Sequence, residues 1–195
     1  MQAKTFVFFG IVGSGKGTQI KLLMDLLKAR DGREMVYAYP GNEYRKIIES
    51  YTETAEFVRA TINAGHLQPD FLTNAVFINM LLNDISLEKH LIADGYPRTL
   101  SQSACLEEAM KFYKREDVKI IYIKINHDEA MKRNLLRGRK DDTKESIEKR
   151  FEEYMNKVVP SMEYFKGKPG YDIYEINGEQ GIEDVHKDII KALNL

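Results

Sequence analysis

Short apolar runs alternate along the chain with longer stretches in which apolar positions recur every three or four residues. The short runs are typical of strands covered on both faces, because a half-exposed strand would alternate apolar and polar positions. The longer stretches predict amphipathic helices. The predicted strands are "KTFVFFG", "EMVYAY", "HLIAD", "VKIIYIKI" and "YDIYEI", with helices over residues 14–29, 100–113, 128–137 and 182–192 among those between them.

This βαβ rhythm predicts an α/β fold with a doubly wound parallel sheet flanked by helices. Neither a repeat nor a linker-like tract interrupts the chain, so we expect one domain over residues 1–195. Ligands of such sheets bind beyond the carboxyl ends of the strands. The loops that follow Phe9, Tyr39, Ala93 and Ile125 should therefore line one crevice.

Composition narrows the class of protein. Apolar residues make up 43% and charged residues 30%, which is ordinary for a soluble globular protein, and the net charge of -1 favours neither nucleic acid nor an anionic membrane as a partner. The single cysteine, Cys105, excludes an intrachain disulfide and a cysteine-rich zinc site. No apolar run reaches the ~20 residues that span a bilayer. Without an export signal, we expect a cytoplasmic protein.

A glycine-rich loop between the first strand and the first helix predicts a phosphate-binding site. It has the spacing Gly10-x-x-x-x-Gly15-Lys16. Without Cβ atoms such a loop wraps its backbone N–H groups around phosphate oxygens, and the helix N-terminus adds partial positive charge. Lys16 would bridge the outer phosphates. Gly17 stands where most such loops place the Ser or Thr that binds Mg²⁺, and Thr18 follows it.

A second motif, "LIADGYPRT" at residues 91–99, ends a strand with Asp94 and returns Arg98 toward the crevice. Together with the glycine loop it resembles the adenylate kinase family, and the resemblance extends over nearly the whole chain. The motifs that carry it occur in the family's order and close to its spacing. They are "GSGKGT", "GNEYR", "AGHLQPD", "DGYPRTLSQ", "RNLLRGRKDD" and "ESIEKRFEEY".

The resemblance implies a P-loop NTPase fold with a five-stranded parallel sheet and two covering segments. A flap segment over the acceptor nucleotide would occupy about residues 39–68, and a very short lid over ATP about residues 137–142. The implied reaction is transfer of the ATP γ-phosphoryl group to AMP, which gives two ADP. Mg²⁺ would accompany ATP, with Asp94 orienting its water shell, and no zinc is expected.

The resemblance also implies the roles of individual residues, many of them arginines that grip phosphates bidentately. The predicted catalytic residues are Lys16, Arg98, Arg133, Arg137, Arg139 and Arg150. The predicted ATP-binding residues are Gly13, Ser14, Gly15, Lys16, Gly17, Thr18, Arg133, Arg137 and Gln180. The predicted AMP-binding residues are Pro40, Arg45, His66, Leu67, Gln68, Gly95, Tyr96, Pro97, Arg98, Gln102, Arg139 and Arg150.

The motifs indicate phosphoryl transfer more firmly than they indicate which nucleoside monophosphate accepts the phosphoryl group. Gln102 matches the adenylate kinase glutamine that binds the AMP base, which favours AMP over UMP or CMP. Pro40 and Asn42 depart from the family's usual "STGD", and Pro40 offers neither a hydroxyl nor an N–H. A UMP/CMP kinase or a broad-specificity nucleoside monophosphate kinase is therefore the alternative. A non-catalytic nucleotide-binding module and a motor-type NTPase are disfavoured by the acceptor-side arginines.

The lid and the histidines carry further expectations. Only three residues separate Arg137 from Asp141, so the lid is shorter than in short-lid relatives and measurable ATP hydrolysis without acceptor is expected. Asp142 with Glu145 suits a helix N-cap and capping box, whereas the resemblance implies that Asp141 and Asp142 bind lid arginines when ATP is bound; both roles can hold at once. His90, His127 and His186 show no metal-ligand spacing and are interpreted as surface groups. A monomer is the default expectation.

Overall fold

The structure is a computed structural model that describes residues 3–138 and 143–195. Within those residues, five strands form one all-parallel sheet in the order β2-β3-β1-β4-β5. The strands are β1 (Thr5–Phe9), β2 (Met35–Ala38), β3 (His90–Asp94), β4 (Val118–Lys124) and β5 (Tyr171–Asn177). The predicted five-stranded, doubly wound α/β fold is confirmed.

Helices connect the strands and cover both faces of the sheet. A π-helical turn at Tyr154–Val158 joins α7 to α8. The helices in the described residues are α1 (Lys16–Asp31), α2 (Pro40–Ile48), α3 (Glu53–Asn63), α4 (Asp70–Asp84), α5 (Leu100–Phe112), α6 (His127–Arg137), α7 (Lys144–Glu153), α8 (Val159–Glu163) and α9 (Ile182–Leu193). None of these described helices has the length and apolar character needed to cross a membrane.

The alternation of side chains along β1 divides the hydrophobic core into two layers. Val7 and Phe9 point into the layer built with α4, α5 and α8, whereas Phe6 and Phe8 point into the layer built with α1 and α9. All four are almost fully buried. Apolar side chains on both faces explain why the strands appear in the sequence as continuous hydrophobic runs.

The centre of the sheet places the two sequence motifs side by side. β1 lies between β3 and β4, and Phe8 of β1 is in register with Asp94 of β3. Because the strands are parallel, the glycine-rich loop after β1 and the turn after β3 leave the sheet at the same edge. The chain connects to β2 and β3 on one side of β1 and to β4 on the other, which opens a crevice at that point.

The N-terminus of α7 differs from the prediction. Its cap is Thr143, whose hydroxyl accepts the N–H of Ser146, while the Ser146 hydroxyl accepts the N–H of Thr143 in return. The expectation that Asp142 caps the helix with Glu145 was therefore wrong by one residue. Both pairs have the same three-residue spacing, and the sequence alone does not say where the helical turn begins.

The prediction that His90 lies on the surface was also wrong. His90 begins β3 and is fully buried. The N–H of Lys4 donates to its Nδ1 at 2.9 Å, so Nε2 carries the ring proton and faces the Asp31 carboxylate at 3.2 Å. A histidine with both ring nitrogens hydrogen-bonded is compatible with the interior, since burial penalises only unpaired polar groups.

Candidate active site

The glycine-rich loop forms an open backbone cradle at the start of α1. Gly15 is the N-cap of the helix, adopts a left-handed conformation and leaves the helix without a side-chain cap. A Cβ atom at Gly15 or at Gly17 would meet no heavy atom within 4 Å, so the space beside both is open. Within the described ranges, no hydrogen bond occupies the N–H groups of Gly15, Lys16 or Gly17. Together these donors provide an anion site.

The other predicted loop residues line or support this cradle. Thr18 is exposed on the first turn of α1, whereas Ser14 is buried, and its hydroxyl has no hydrogen-bond partner among the described residues. Gly13 has φ of +87°, and a Cβ there would lie 2.7 Å from the Asn134 amide nitrogen. That amide donates to the carbonyl of Val12 at 2.9 Å. Asn134 therefore fastens the loop to α6.

Lys16 lies at the centre of the crevice and is held by its own loop. Its ammonium group donates to the carbonyl oxygens of Gly10 and Ile11. Burial, opposed by the Asp94 carboxylate and assisted by the positive charges of Arg98 and Arg137, lowers the pKa of Lys16 to about 8. The loop, the turn after β3 and the end of α6 thus bring three cations and one carboxylate into electrostatic contact.

Asp94 ends β3 almost fully buried, with its carboxylate at the edge of the crevice. The hydroxyl of Tyr37, on β2, donates to its Oδ2 at 2.8 Å. Burial, with the Asp94 charge adding to it, raises the pKa of the Tyr37 phenol above its usual range. Tyr37 therefore keeps its phenolic proton and donates it to Asp94 at neutral pH.

The two predicted acceptor-side arginines leave different elements. Arg98 follows the turn after β3, and its Nε donates to the carbonyl of Gly95 at 2.8 Å. Arg45 lies on α2 and donates to the carbonyl of Gly41 at 2.7 Å, with its guanidinium 5.3 Å from the centre of the Tyr39 ring. Each guanidinium rests on uncharged groups, so each has its full charge available for a phosphate.

The flap segment, residues 39–68, contains α2 and α3 and ends in the loop before α4. Pro40 is the first residue of α2 and is buried. His66 is exposed, and Gln68 is buried with its amide donating to the carbonyl of Val58 at 3.1 Å. Leu67 and Gln68 line a cavity of about 470 Å³ whose far wall includes residues 99–101. The amide nitrogen of Gln68 is therefore engaged within the flap segment.

The side chains of Gln102 and Tyr96 are engaged inside the protein. The Gln102 amide nitrogen donates to Asp70 at 2.8 Å, and its oxygen accepts the N–H of Arg98 at 2.8 Å. Tyr96 donates to Asn74 and stacks on Phe77, while Pro97 beside it is buried. If Gln102 binds the base as predicted, its amide must break the hydrogen bond to Asp70 and form one to the base instead.

On the predicted ATP side, Arg133 connects α6 to the loop after β5. Its Nε donates to Glu129 at 2.6 Å, and its guanidinium donates to the carbonyl of Gly178 at 3.0 Å. Gln180, in the same loop, donates to Asp188 of α9 at 2.7 Å. Both predicted residues therefore shape this loop.

Comparison with known proteins decides the family. A sequence profile of the adenylate kinase family matches residues 8–169 of the chain. The chain belongs to the adenylate kinase family. Similar proteins named adenylate kinase include one from Azobacteroides pseudotrichonymphae, 31% identical over 193 residues and covering 95% of each chain. Another, from Prochlorococcus marinus, is 35% identical over 163 residues and covers 84% of this chain and 85% of its own.

Two further predicted arginines of this adenylate kinase family member lie at the start of the predicted lid and on the helix that follows it. Arg137 ends α6 within electrostatic reach of Lys16. Arg150 lies on α7, partly buried. Arg139, Asp141 and Asp142 lie outside the described residues, so the arginine predicted to close over the transferring phosphate stays a prediction.

The sequence comparison with the adenylate kinase family missed two residues that shape the site. Asn134 appears in the sequence as one polar residue on a helix, and Tyr37 as one aromatic residue near a strand end. Their importance arises from contacts with Val12 and Asp94, which are 122 and 57 positions away along the chain. No local pattern reports such contacts.

Proposed function

We propose that this chain is an adenylate kinase that transfers the γ-phosphoryl group of ATP reversibly to AMP and gives two ADP. The observation that carries the proposal is the grouping of Lys16, Arg98, Arg137 and Asp94 around an open phosphate cradle. The relatives named adenylate kinase support the choice of reaction.

ATP would bind with its phosphates in the cradle of Gly13, Gly15 and Gly17. Lys16 would leave the carbonyl oxygens of its own loop and pair with the outer phosphates, because a phosphate oxygen carries more negative charge than a carbonyl. Arg137 would approach the same phosphates from the end of α6. Arg133 and Gln180 would support the loop beside the adenine.

AMP would bind between the flap segment and the turn after β3. Arg45 and Arg98 would hold its phosphate, each exchanging a carbonyl partner for phosphate oxygens. Arg150 would approach the transferring group from α7, and Arg139 from the lid. Bringing two anionic phosphates together requires this surplus of guanidinium groups, since ATP and AMP carry roughly six negative charges.

The protein needs no general base for this reaction. The AMP phosphate is mostly dianionic at neutral pH because its second pKa is about 6, so its oxygen is already a nucleophile. The work left to the side chains is to align the two phosphates and to balance the charge of the transferring group. Burial of the crevice strengthens each of these interactions.

The donor set around Asp94 suits Mg²⁺ that arrives with ATP. No group of three His, Cys, Asp or Glu side chains able to hold a metal occurs among residues 3–138 and 143–195. Mg²⁺ commonly keeps several waters and binds through substrate phosphates and one or two carboxylates, and Asp94 offers such a carboxylate beside the cradle. When bound, the ion neutralises phosphate charge.

The proposal is tested by measuring ADP formation from Mg·ATP with AMP, UMP, CMP, GMP and dTMP in turn. We expect AMP to be the preferred acceptor. Turnover with none of the five would contradict the proposal, and preference for a pyrimidine would contradict the choice of acceptor.

Arg98→Ala should lower kcat/KM for AMP by at least about 100-fold, because it removes charge from the acceptor phosphate. The matched control is Arg30→Ala, on the exposed last turn of α1, far from the crevice. It should change kcat/KM little. Equal activity of the two variants would remove Arg98 from its assigned role.

A further inference from the structure

The contact between Tyr37 and Asp94 joins the edge strand of the sheet to the carboxylate at its crevice. Tyr37 lies on β2, which pairs with β3, and it is in register with Ile92, two residues before Asp94. Its hydroxyl reaches the carboxylate at 2.8 Å. Its ring packs against the core layer shared by α1 and α9. The phenol is thus anchored at its ring and bonded at its tip.

We propose that Tyr37 is a positioning residue for the donor nucleotide: its hydroxyl fixes the Asp94 carboxylate in the orientation that receives the hydrated Mg²⁺ of Mg·ATP. This inference rests on the proposed function, because it assigns a task to Tyr37 within the same site. It extends the site to a residue of β2 that binds no nucleotide itself.

The geometry supports this task in two ways. A free carboxylate rotates about its last side-chain bond, and a hydrogen bond to Oδ2 from an anchored phenol restrains that rotation. Among the described residues no hydrogen bond uses Oδ1, so this oxygen keeps its lone pairs for donors in the crevice. Lys16 lies within electrostatic reach of the Asp94 carboxylate. Water bound to a metal ion is the kind of donor that Oδ1 would accept.

The neighbouring Tyr39 provides a matched comparison. Tyr39 lies two residues after Tyr37, directly after the end of β2. Its ring centre is 5.9 Å from that of Tyr37. Its hydroxyl accepts from Arg45 at 3.3 Å instead of reaching Asp94. Removing the Tyr37 hydroxyl therefore affects the contact with Asp94, on the ATP side of the proposed site. Removing the Tyr39 hydroxyl affects the contact with Arg45, on the AMP side.

The test is equilibrium binding of ATP, measured calorimetrically with Mg²⁺ present and with Mg²⁺ chelated. The measured quantity is the ratio of the two dissociation constants. We expect Tyr37→Phe to reduce the preference for Mg·ATP about three- to tenfold and to leave metal-free ATP binding unchanged, since the loss of one charge-assisted hydrogen bond has this size. Tyr39→Phe should leave the ratio unchanged.

A double-mutant cycle identifies Asp94 as the residue through which Tyr37 acts. Asp94→Asn should remove most of the preference for Mg·ATP, and Tyr37→Phe added to it should cause no further loss. Additive losses would overturn the inference. So would an unchanged ratio in Tyr37→Phe, or an equal weakening of ATP and Mg·ATP, which indicates a structural role only.

The proposed function and the inference fail in different ways. If the unaltered protein binds neither ATP nor Mg·ATP, both are wrong. If it binds Mg·ATP preferentially and phosphorylates AMP while Tyr37→Phe keeps that preference, only the inference is wrong. Should Tyr37→Phe unfold, Tyr37→Gln keeps a hydrogen-bond donor at the position, and a ratio equal to that of the unaltered protein contradicts the need for an anchored phenol.

Discussion

Lys16 is a cation whose burial costs folding free energy. It is surrounded by carbonyl oxygens and by two further cations, and burial is the main cause of its lowered pKa. A buried ammonium group destabilises the folded chain below its folded-state pKa, because the unfolded chain binds the proton more tightly. The bound polyphosphate would remove this penalty, so the cost is a property of the free protein.

Lys16→Met should therefore abolish phosphoryl transfer and at the same time stabilise the free protein at pH 7, by about 1–3 kcal/mol. Below pH 8 the penalty in the unaltered protein is complete. As pH rises from about 8 toward 10.5, the ordinary value, the penalty disappears and the two proteins should converge. Urea unfolding at pH 7 and pH 10 measures the difference.

The control for this prediction is Lys21→Met, on the exposed face of the same helix. It should alter the free energy of unfolding by less than about 0.5 kcal/mol at either pH. A Lys16→Met variant that is less stable than the unaltered protein at pH 7 would contradict the prediction. It would mean that the bonds to Gly10 and Ile11 outweigh the cost of burial.

The position of a single residue in the site was predictable where the residue belongs to a sequence motif. It was not predictable where a contact with a residue distant along the chain determines its environment. Lys16, Arg98 and Arg137 follow from the spacing of the family's motifs, and the structure brings them together. The burial of His90 depends on Asp31 and on the backbone of Lys4, which are 59 and 86 positions away. A polar residue type alone predicts that the side chain is exposed. The hydrogen-bond partners that allow it to be buried are known only from the fold.

At the scale of elements, the flap segment rests on α7. Gly65, in the loop after α3, has φ of +75°, and a Cβ there would lie 2.9 Å from the carbonyl oxygen of Ser146. Beside it, His66 Nδ1 lies 3.2 Å from the Glu153 carboxylate. The loop predicted to contact the AMP base is therefore in direct contact with the helix that carries Arg150.

Gly65→Ala should separate the loop from α7. It should lower the free energy of unfolding by about 1–2 kcal/mol more than Gly167→Ala does, and raise the KM for AMP severalfold. The two positions have nearly equal φ, +75° and +74°, but a Cβ at Gly167 meets nothing within 4 Å. The comparison therefore separates the effect of the clash with Ser146 from the effect of backbone strain at a positive φ. Equal losses of stability, with an unchanged KM, would contradict the prediction.

Elements were predictable from their periodicity, and their ends were not. The strands carry apolar side chains on both faces, so each appears in the sequence as a continuous run. The start of α7 had two candidate caps of equal spacing, and the structure has Thr143, in a capping box with Ser146, as the cap. Boundaries depend on one or two hydrogen bonds, whereas the identity of an element depends on its whole length.

At the scale of the whole molecule, an ion cluster joins α5 to the chain that follows α8. Glu107 accepts hydrogen bonds from Tyr164 and Lys168 and pairs with Lys111. The hydrogen bonds from Lys168, Tyr164 and Lys111 lower the pKa of Glu107 to about 2. The cluster links two elements of the fold, so we expect it to contribute to stability.

A carboxyl group with a lowered pKa stabilises the fold above its ordinary value of about 4.5, and this contribution is lost as pH falls toward 2. Glu107→Gln should therefore be less stable than the unaltered protein at pH 6, and the two should converge near pH 2. Glu108→Gln, on the exposed side of the same helix, is the control. An unchanged difference across this pH range would contradict the prediction.

The anchoring of the phosphate cradle has a consequence for chain insertions. Asn134 grips the Val12 carbonyl one helical turn before α6 ends at its cap, Gly138. Residues inserted after Gly138, where the lid is predicted, should leave in place the amide that holds the cradle. The glycine-rich loop should therefore tolerate changes of chain length at this junction, because its anchor on α6 precedes the junction.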